Sequence, residues 1–283
     1  MIIAVASGKG GTGKTSVSVS LAKAIAELDS KVKLLDCDVE EPNANLLLEC
    51  SRISETDFSV KIPSLDISCC TGCGKCAAIC EFNCIAVVKE RAVIFPDLCH
   101  SCGGCSLVCP EKCISEIESK TGVITKYSSG KIHLVQGILD IGKAMSPPLI
   151  REVKKNTNTE IVIIDCPPGT SCPMVTAVGN ADYVILVTEP TPFGLHDMTL
   201  AVETLQKMKM NFGVVINRSD SGDDRVENYC RKENIEVIMK IRESIDAARA
   251  YSKGIPLYDA LPEIKDEFIS ASKKIMNLTG EKI

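Results

Sequence analysis

The sequence predicts an α/β protein: a doubly wound, mostly parallel sheet flanked by helices, interrupted by a small cysteine-rich α+β module. Three observations carry this expectation. Short apolar runs bounded by turn residues recur along the chain, with segments of helical spacing between them. A glycine-rich stretch, GKGGTGKT at 8–15, stands between the first apolar run and the first helical segment. Eleven of the 16 cysteines fall between Cys69 and Cys113, in a block that breaks the strand–helix rhythm.

The runs are IIAVA (2–6), VKLLD (32–36), IVIID (161–165), YVILVT (183–188), FGVVIN (212–217) and EVIMK (236–240). Each is apolar at successive positions, as strands buried on both faces of a parallel sheet must be. Helical spacing occupies 14–28, 194–210 and 223–234, and Pro147-Pro148 opens another helix before IVIID. The rhythm stops after about residue 60 and resumes beyond the cysteines, so boundaries near 62 and 119 divide the chain into 1–62, 63–118 and 119–283, the middle piece being an insert.

Composition narrows the function classes. A net charge of −5 and a pI near 5.4, with no block of Lys or Arg, speak against nucleic acid, whose phosphates need a basic face. No apolar run approaches the roughly 20 residues that cross a bilayer, and Met1 leads straight into an apolar strand without a basic leader. No membrane contact and a cytoplasmic location are the expectation. Reduced cytosolic thiols do not build a disulfide framework, so the cysteine block reads as metal-binding.

Gly8-Lys9-Gly10-Gly11-Thr12-Gly13-Lys14-Thr15 satisfies G-x-x-x-x-G-K-[ST] in its required setting between strand and helix. Glycines let backbone N–H groups turn toward phosphates, and the helix N-terminus, continuing through Ser16, adds partial positive charge. Lys14 would contact the β- and γ-phosphates of ATP, and Thr15 would offer its hydroxyl to Mg²⁺. Asp165 ends IVIID as a magnesium-side carboxylate should, and Gly169 in the following CPPGT would let backbone approach the γ-phosphate. Asp38, two residues beyond Asp36 at the end of VKLLD, falls on the carboxyl edge of the sheet, where ligands of open α/β folds bind.

Lys9 within KGGTGKT, together with DCDVEEPN, DCPPGT and the late VVIN, resembles the deviant P-loop ATPases of the MinD/Mrp/ParA superfamily, to which the nitrogenase iron protein is related. The resemblance implies an ATPase that closes as a homodimer on ATP. It implies that Lys9 reaches in trans to the partner's phosphates, that Thr15, Asp38 and Asp165 hold the Mg²⁺ with Asp38 aligning the attacking water, and that Asn217 reads adenine.

Within the insert, CTGCGKCAAICEFNCI (70–85) and CHSCGGCSLVCPEKCI (99–114) match in all five cysteines and the final Ile, a duplicated unit of roughly 29 residues. Each copy contains C-x2-C-x2-C-x3-C, the run of two-cluster bacterial ferredoxins, in which the fourth cysteine serves the other cluster. The expectation is one 4Fe-4S cluster on Cys70, Cys73, Cys76 and Cys109, and a second on Cys80, Cys99, Cys102 and Cys105. Zinc is the competing metal, although its sites usually separate two C-x2-C pairs by a longer loop. Cys69, Cys84 and Cys113 read as packing thiols, and His100 and His196 as surface or cap residues. Glu81 follows Cys80 where the second copy has Pro110, which predicts unequal cluster potentials.

With this insert, and with EPTPFGLHD at 189–197, nearly the whole chain resembles the MinD-superfamily ATPases that carry an inserted ferredoxin domain. Three functions compete. In the first and favoured one, nucleotide state gates electron transfer through two clusters to a redox partner. The alternative is an Mrp-like carrier that hands iron-sulfur clusters to an acceptor. A MinD/ParA-type positioning ATPase comes third, because the tail EFISASKKIMNLTGEKI lacks a strongly basic amphipathic face. Cys172 lies at the offset from Asp165 at which the nitrogenase iron protein ligates its subunit-bridging cluster, but 131–150 supplies no second cysteine. A buried or dimer-facing thiol is the favoured role for Cys172.

Overall fold

The computed structural model describes residues 1–143, 145–157 and 161–278. Along the chain the elements are β1 (Ile2–Ala6), α1 (Lys14–Glu27), β2 (Val32–Asp36), β3 (Ser51–Leu65), α2 (Lys75–Ile79), β4 (Ile85–Val88), β5 (Arg91–Ile94), α3 (Gly104–Val108), β6 (Ile114–Ser129), β7 (Ile132–Leu139), α4 (Pro147–Lys154), β8 (Ile161–Asp165), α5 (Cys172–Val178), β9 (Tyr183–Thr188), α6 (Pro192–Lys207), β10 (Phe212–Asn217), α7 (Arg225–Lys232), β11 (Val237–Ile241), α8 (Ile245–Tyr251), α9 (Leu257–Ala260) and α10 (Pro262–Leu278).

The main sheet runs β11-β10-β9-β1-β8-β2-β7-β6-β3. The pairings from β11 through to β7 are parallel. β8 and β9, like the middle of β1 and β2, are buried, because their Ile, Leu and Val side chains lie under helices on both faces. The tail lies in α10, which packs Ile264, Phe268 and Ala271 into the core that also holds Leu21 and Ile25 of α1. Its last five residues, 279–283, lie outside the described ones. Among the described residues no helix is long and apolar enough to cross a membrane.

Three strands of the main sheet were not expected from the sequence. β3 alternates polar residues along its length, and β6 begins within the cysteine repeat, so neither shows a buried apolar run. β7 pairs with β2 in parallel and follows β6 after only two residues, Gly130 and Lys131, so β6 and β7 form an antiparallel hairpin.

The chain divides into two compact units, the second being Thr56–Val123 with Leu139–Leu149. The sequence boundaries near 62 and 119 follow the cysteine motifs, whereas this unit also includes residues of β3 and β6 and the stretch after β7. Its small core joins Cys76, Cys84, Ile85, Ala92, Cys105 and Ile114. The repeat is visible in the backbone at a constant offset. Gly72 and Ser101 have φ of 68° and 56°, Gly74 and Gly103 φ of 76° and 72°, Asn83 and Lys112 φ of 53° and 54°. Gly74 and Gly103 are the left-handed N-caps of the five-residue helices α2 and α3. Such a run of matched positive-φ residues is the backbone form of a duplication.

Candidate functional site

In the first unit, the loops at the carboxyl ends of β1, β2, β8 and β10 line one cavity of about 440 Å³, which includes Gly13, Lys14, Thr15, Asp38, Pro168 and Asn217. This is the edge at which open α/β sheets bind ligands. The glycine-rich loop turns into α1 at Gly13, whose φ of 90° is left-handed. A Cβ there would collide with the side-chain amide of Asn217, so the position requires glycine. Asn217 donates from Nδ2 to the Thr12 carbonyl at 2.8 Å, fixing the loop from the end of β10.

Asp165 is the hub. Fully buried, it accepts from Lys14 Nζ at 2.9 Å, Thr15 Oγ1 at 2.6 Å and Ser18 Oγ at 3.0 Å. Lys14 also lies 3.5 Å from Asp38 Oδ2. Burial works against the Lys14 charge, but Asp165 and then Asp38 hold the ammonium above its ordinary pKa. Asp38 is pushed up to about 6, chiefly by burial, with Lys14 pulling the other way.

Asp36, buried at the end of β2, clamps the loop that carries Asp38. It accepts N–H bonds from Asp38, Asn43 and Ala44 at 3.2, 3.1 and 3.1 Å. Burial and the neighbouring Asp165 push it up to about 8, against the Ala44 N–H and Lys14. Sequence reasoning placed Asp36 only as a strand end and passed over Ser18.

Lys9, the residue expected to act in trans, is engaged within its own chain. Its Nζ lies 3.4 Å from Glu189 Oε2, while Arg218 Nη1 holds the other Glu189 oxygen at 2.9 Å. Glu189 is nearly buried, directly after β9. The sequence quoted it inside EPTPFGLHD without a role; a carboxylate at the carboxyl edge of a sheet strand was the available signal. Gly169 has φ of 91° and donates its N–H to the Ser7 carbonyl at 2.9 Å, while the cavity wall there is Pro168.

The residues fit a nucleotide. The loop carries a buried hydroxyl, Thr12 Oγ1, that has no hydrogen-bond partner in the protein, and a lysine and a threonine hydroxyl stand beside two carboxylates at the cavity.

In the second unit the cysteines line two small cavities of equal volume, about 20 Å³ each. The first is lined by Cys70, Cys73, Cys76 and Cys109, with Cys113 at its edge. The second is lined by Cys80, Cys99, Cys102 and Cys105, with Cys84. Each cavity therefore takes three cysteines from one copy and a fourth from the other. N–H groups point at the sulfurs: Ser101 donates to Cys99 and Cys113 to Cys109, both at 3.3 Å. Those of Ala92 and Gly72 hold the Cys70 thiol below its ordinary pKa. Sulfurs around an enclosed space, with backbone donors to thiolate, suit an iron-sulfur cluster. Among the described residues no set of three or more His, Cys, Asp or Glu side chains converges closely enough for a single metal ion.

The remaining cysteine and histidine expectations fare differently. Cys69 and Cys113 are not both packing thiols: their sulfurs are bonded, with Cα atoms 5.7 Å apart. Cys84 is buried as expected, but its Sγ lies 3.2 Å from Cys80 Sγ. His100 is exposed, as expected, with its ring stacked on Phe82 at 3.4 Å between centroids and bordering the second cavity. His196 is an exposed residue of α6, as expected. Cys172 is exposed as the first residue of α5, not buried, and Cys230 is buried in α7.

A parallel sheet with this phosphate-type loop, its lysine and two strand-end carboxylates defines a P-loop nucleotide-binding protein. Residues 3–257 match the CobQ/CobB/MinD/ParA nucleotide binding domain, and the chain belongs to that family. An uncharacterised protein of Methanocaldococcus jannaschii is 38% identical over 223 residues, covering 77% of this chain and 78% of its own. A Pyrococcus horikoshii protein named iron-sulfur cluster carrier protein is 26% identical over 304 residues, covering 99% of this chain and 86% of its own. The solved structure of the septum site-determining protein MinD of Pyrococcus horikoshii, complexed with Mg-ADP, shares the fold with a TM-score of 0.61 at 21% identity, covering 99% of this chain and 97% of that one.

Proposed function

We propose that this protein is an ATP-hydrolysing iron-sulfur ATPase that works as a homodimer and carries clusters to an acceptor. The observation that carries the reading is the pairing of the two sites in one chain: a P-loop with its carboxylates, and two cavities each lined by four cysteines drawn from both copies of the repeat. Similarity to proteins named cluster carriers puts carriage ahead of electron transfer, reversing the order suggested by the sequence.

Phosphoryl transfer at such a site is positioning and charge neutralisation. Gly8, Lys9, Gly10, Gly11, Thr12, Gly13, Lys14, Thr15 and Ser16 would wrap the phosphates, with Gly169 on the γ-phosphate side and Asn217 at the base. Lys14 leaves Asp165 for the phosphates, and Mg²⁺, which neutralises phosphate charge when bound, would be held by Thr15, Asp165 and Asp38. Asp38 aligns water, and Lys9 leaves Glu189 for the partner's γ-phosphate. The clusters would sit on Cys70, Cys73, Cys76 and Cys109, and on Cys80, Cys99, Cys102 and Cys105, in an inserted ferredoxin-like module spanning 63–118.

One observation favours the second reading, nucleotide-gated electron transfer. Four cysteines per cavity are a full ligand set, which suits a resident cluster better than a cargo. A single anaerobic experiment separates the two: the loaded protein is mixed with an apo-acceptor, with and without Mg-ATP. Iron appearing in the acceptor in an ATP-dependent manner supports carriage. Retained clusters whose reduction rate follows the nucleotide support gating, and no iron bound at all removes both.

A further inference from the structure

The two thiol cavities differ in their free sulfurs. Residues 84 and 113 are equivalent in the repeat, and each borders its cavity as a fifth cysteine. Cys113 is bonded to Cys69 and so withdrawn from metal chemistry. Cys84 is a free thiol, buried, 3.2 Å from the sulfur of Cys80. The first cavity thus offers four free sulfurs and the second five. Cys80 is also the cysteine the second cavity borrows from the other copy, and it ends α2 as its C-cap rather than lying within a helix.

We propose that Cys84 is an alternate iron ligand, exchanging with Cys80 at one corner of the second cluster, so that this cluster is the exchangeable one and the first is resident. The inference rests on the cluster assignment above. In the exchange the iron bond to Cys80 sulfur breaks and a bond to Cys84 sulfur forms. The Cys84 thiol proton passes to the departing Cys80 thiolate across the contact already present. No electron is gained or lost. A ligand with an adjacent substitute loosens its corner without exposing iron to water, which is what stepwise release to an acceptor thiol requires.

The test uses the full chain, reconstituted anaerobically, with iron content and electron paramagnetic resonance of both the oxidised and the reduced clusters as readouts and Mg-ADP binding as the check on folding. Wild type should bind about eight irons, two four-iron clusters; failure here would remove the cluster assignment itself, before the exchange is in question. Cys80→Ala should keep about eight irons and both signals, because Cys84 takes the vacant corner. Cys80→Ala/Cys84→Ala should fall to about four irons or show a three-iron signal in their place. Cys109→Ala should also lose iron, having no free substitute. If Cys80→Ala does not fold, Cys80→Ser serves, and addition of Cys84→Ala to it should then lower the iron content. The proposal is overturned if Cys80→Ala, or its Ser counterpart, loses as much iron as the double variant, or if Cys109→Ala keeps as much as Cys80→Ala.

Discussion

Replacing Glu189 with Gln should tighten ATP-dependent dimerisation. Glu189 holds Lys9 at 3.4 Å in cis, and under the proposed function the lysine must leave that carboxylate before it can serve the partner subunit. At this distance the bare attraction is about 5 kcal/mol at an effective dielectric of 20, but hydration of a Lys9 that is one-third exposed removes most of it. A net of about 0.5–1 kcal/mol per pair is the expected size. Gln keeps an oxygen for Arg218 while releasing Lys9. Each dimer opens two such pairs, so the variant gains about 1–2 kcal/mol, a dimer Kd about 5–30-fold lower. Sedimentation equilibrium with a slowly hydrolysed ATP analogue measures it. The gain should shrink as salt rises, since an exposed pair is screened over about 8 Å at physiological ionic strength. An unchanged or weaker dimer would refute the reasoning, as would the same gain in a Lys9→Ala background, where no cis pair exists to release.

Asp36→Ala leaves three N–H groups of the 38–44 loop, one buried and two partly buried, without an acceptor and should cost about 2–4 kcal/mol in urea unfolding; a loss under about 1 kcal/mol would mean the loop is held by something else. Asp38 gives a pH signature. Its folded pKa of about 6 lies above the ordinary carboxylate range, so its ionisation opposes folding increasingly from about pH 4 and fully above about pH 6. Asp38→Asn should therefore gain stability over wild type by up to about 3 kcal/mol at pH 7.5 and by little at pH 4.5; a larger gain at the acid end would overturn the sign. Asn217→Ala should weaken ATP binding and narrow the preference for ATP over GTP by about tenfold, worth about 1.4 kcal/mol, seen by calorimetry; unaltered selectivity would remove Asn217 from base recognition.

Much of the first unit was legible because buried parallel strands leave unbroken apolar runs. The five residues IVIID and the six of YVILVT became β8 and β9 at the expected positions, and the end of α1 fell within one residue. β3 was hidden because strands with polar residues on view carry no such run: SRISETDFSVKIPSL has a single fully buried position, Pro63. In the nucleotide site, the motif announced Lys14, Thr15 and Asp165 by spacing. Asp36, Ser18 and Glu189 stayed silent because their work is done through contacts with residues far along the chain, which no local pattern encodes. In the cysteine block the spacing could not distinguish Cys84 from Cys113, since the two stand at equivalent places in the repeat. Only the third dimension shows that Cys69 reaches one and not the other.

The matched left-handed residues of the repeat have a consequence for how the two copies can change. At Gly72 a side chain would run into the Glu90 carbonyl, so this turn admits one amino acid. Its counterpart already carries Ser101 in the same conformation. At this one turn the first copy is thus sterically fixed, while its counterpart in the second copy accepts a side chain. A designer seeking to attach a label at this turn therefore has room at Ser101 that Gly72 denies.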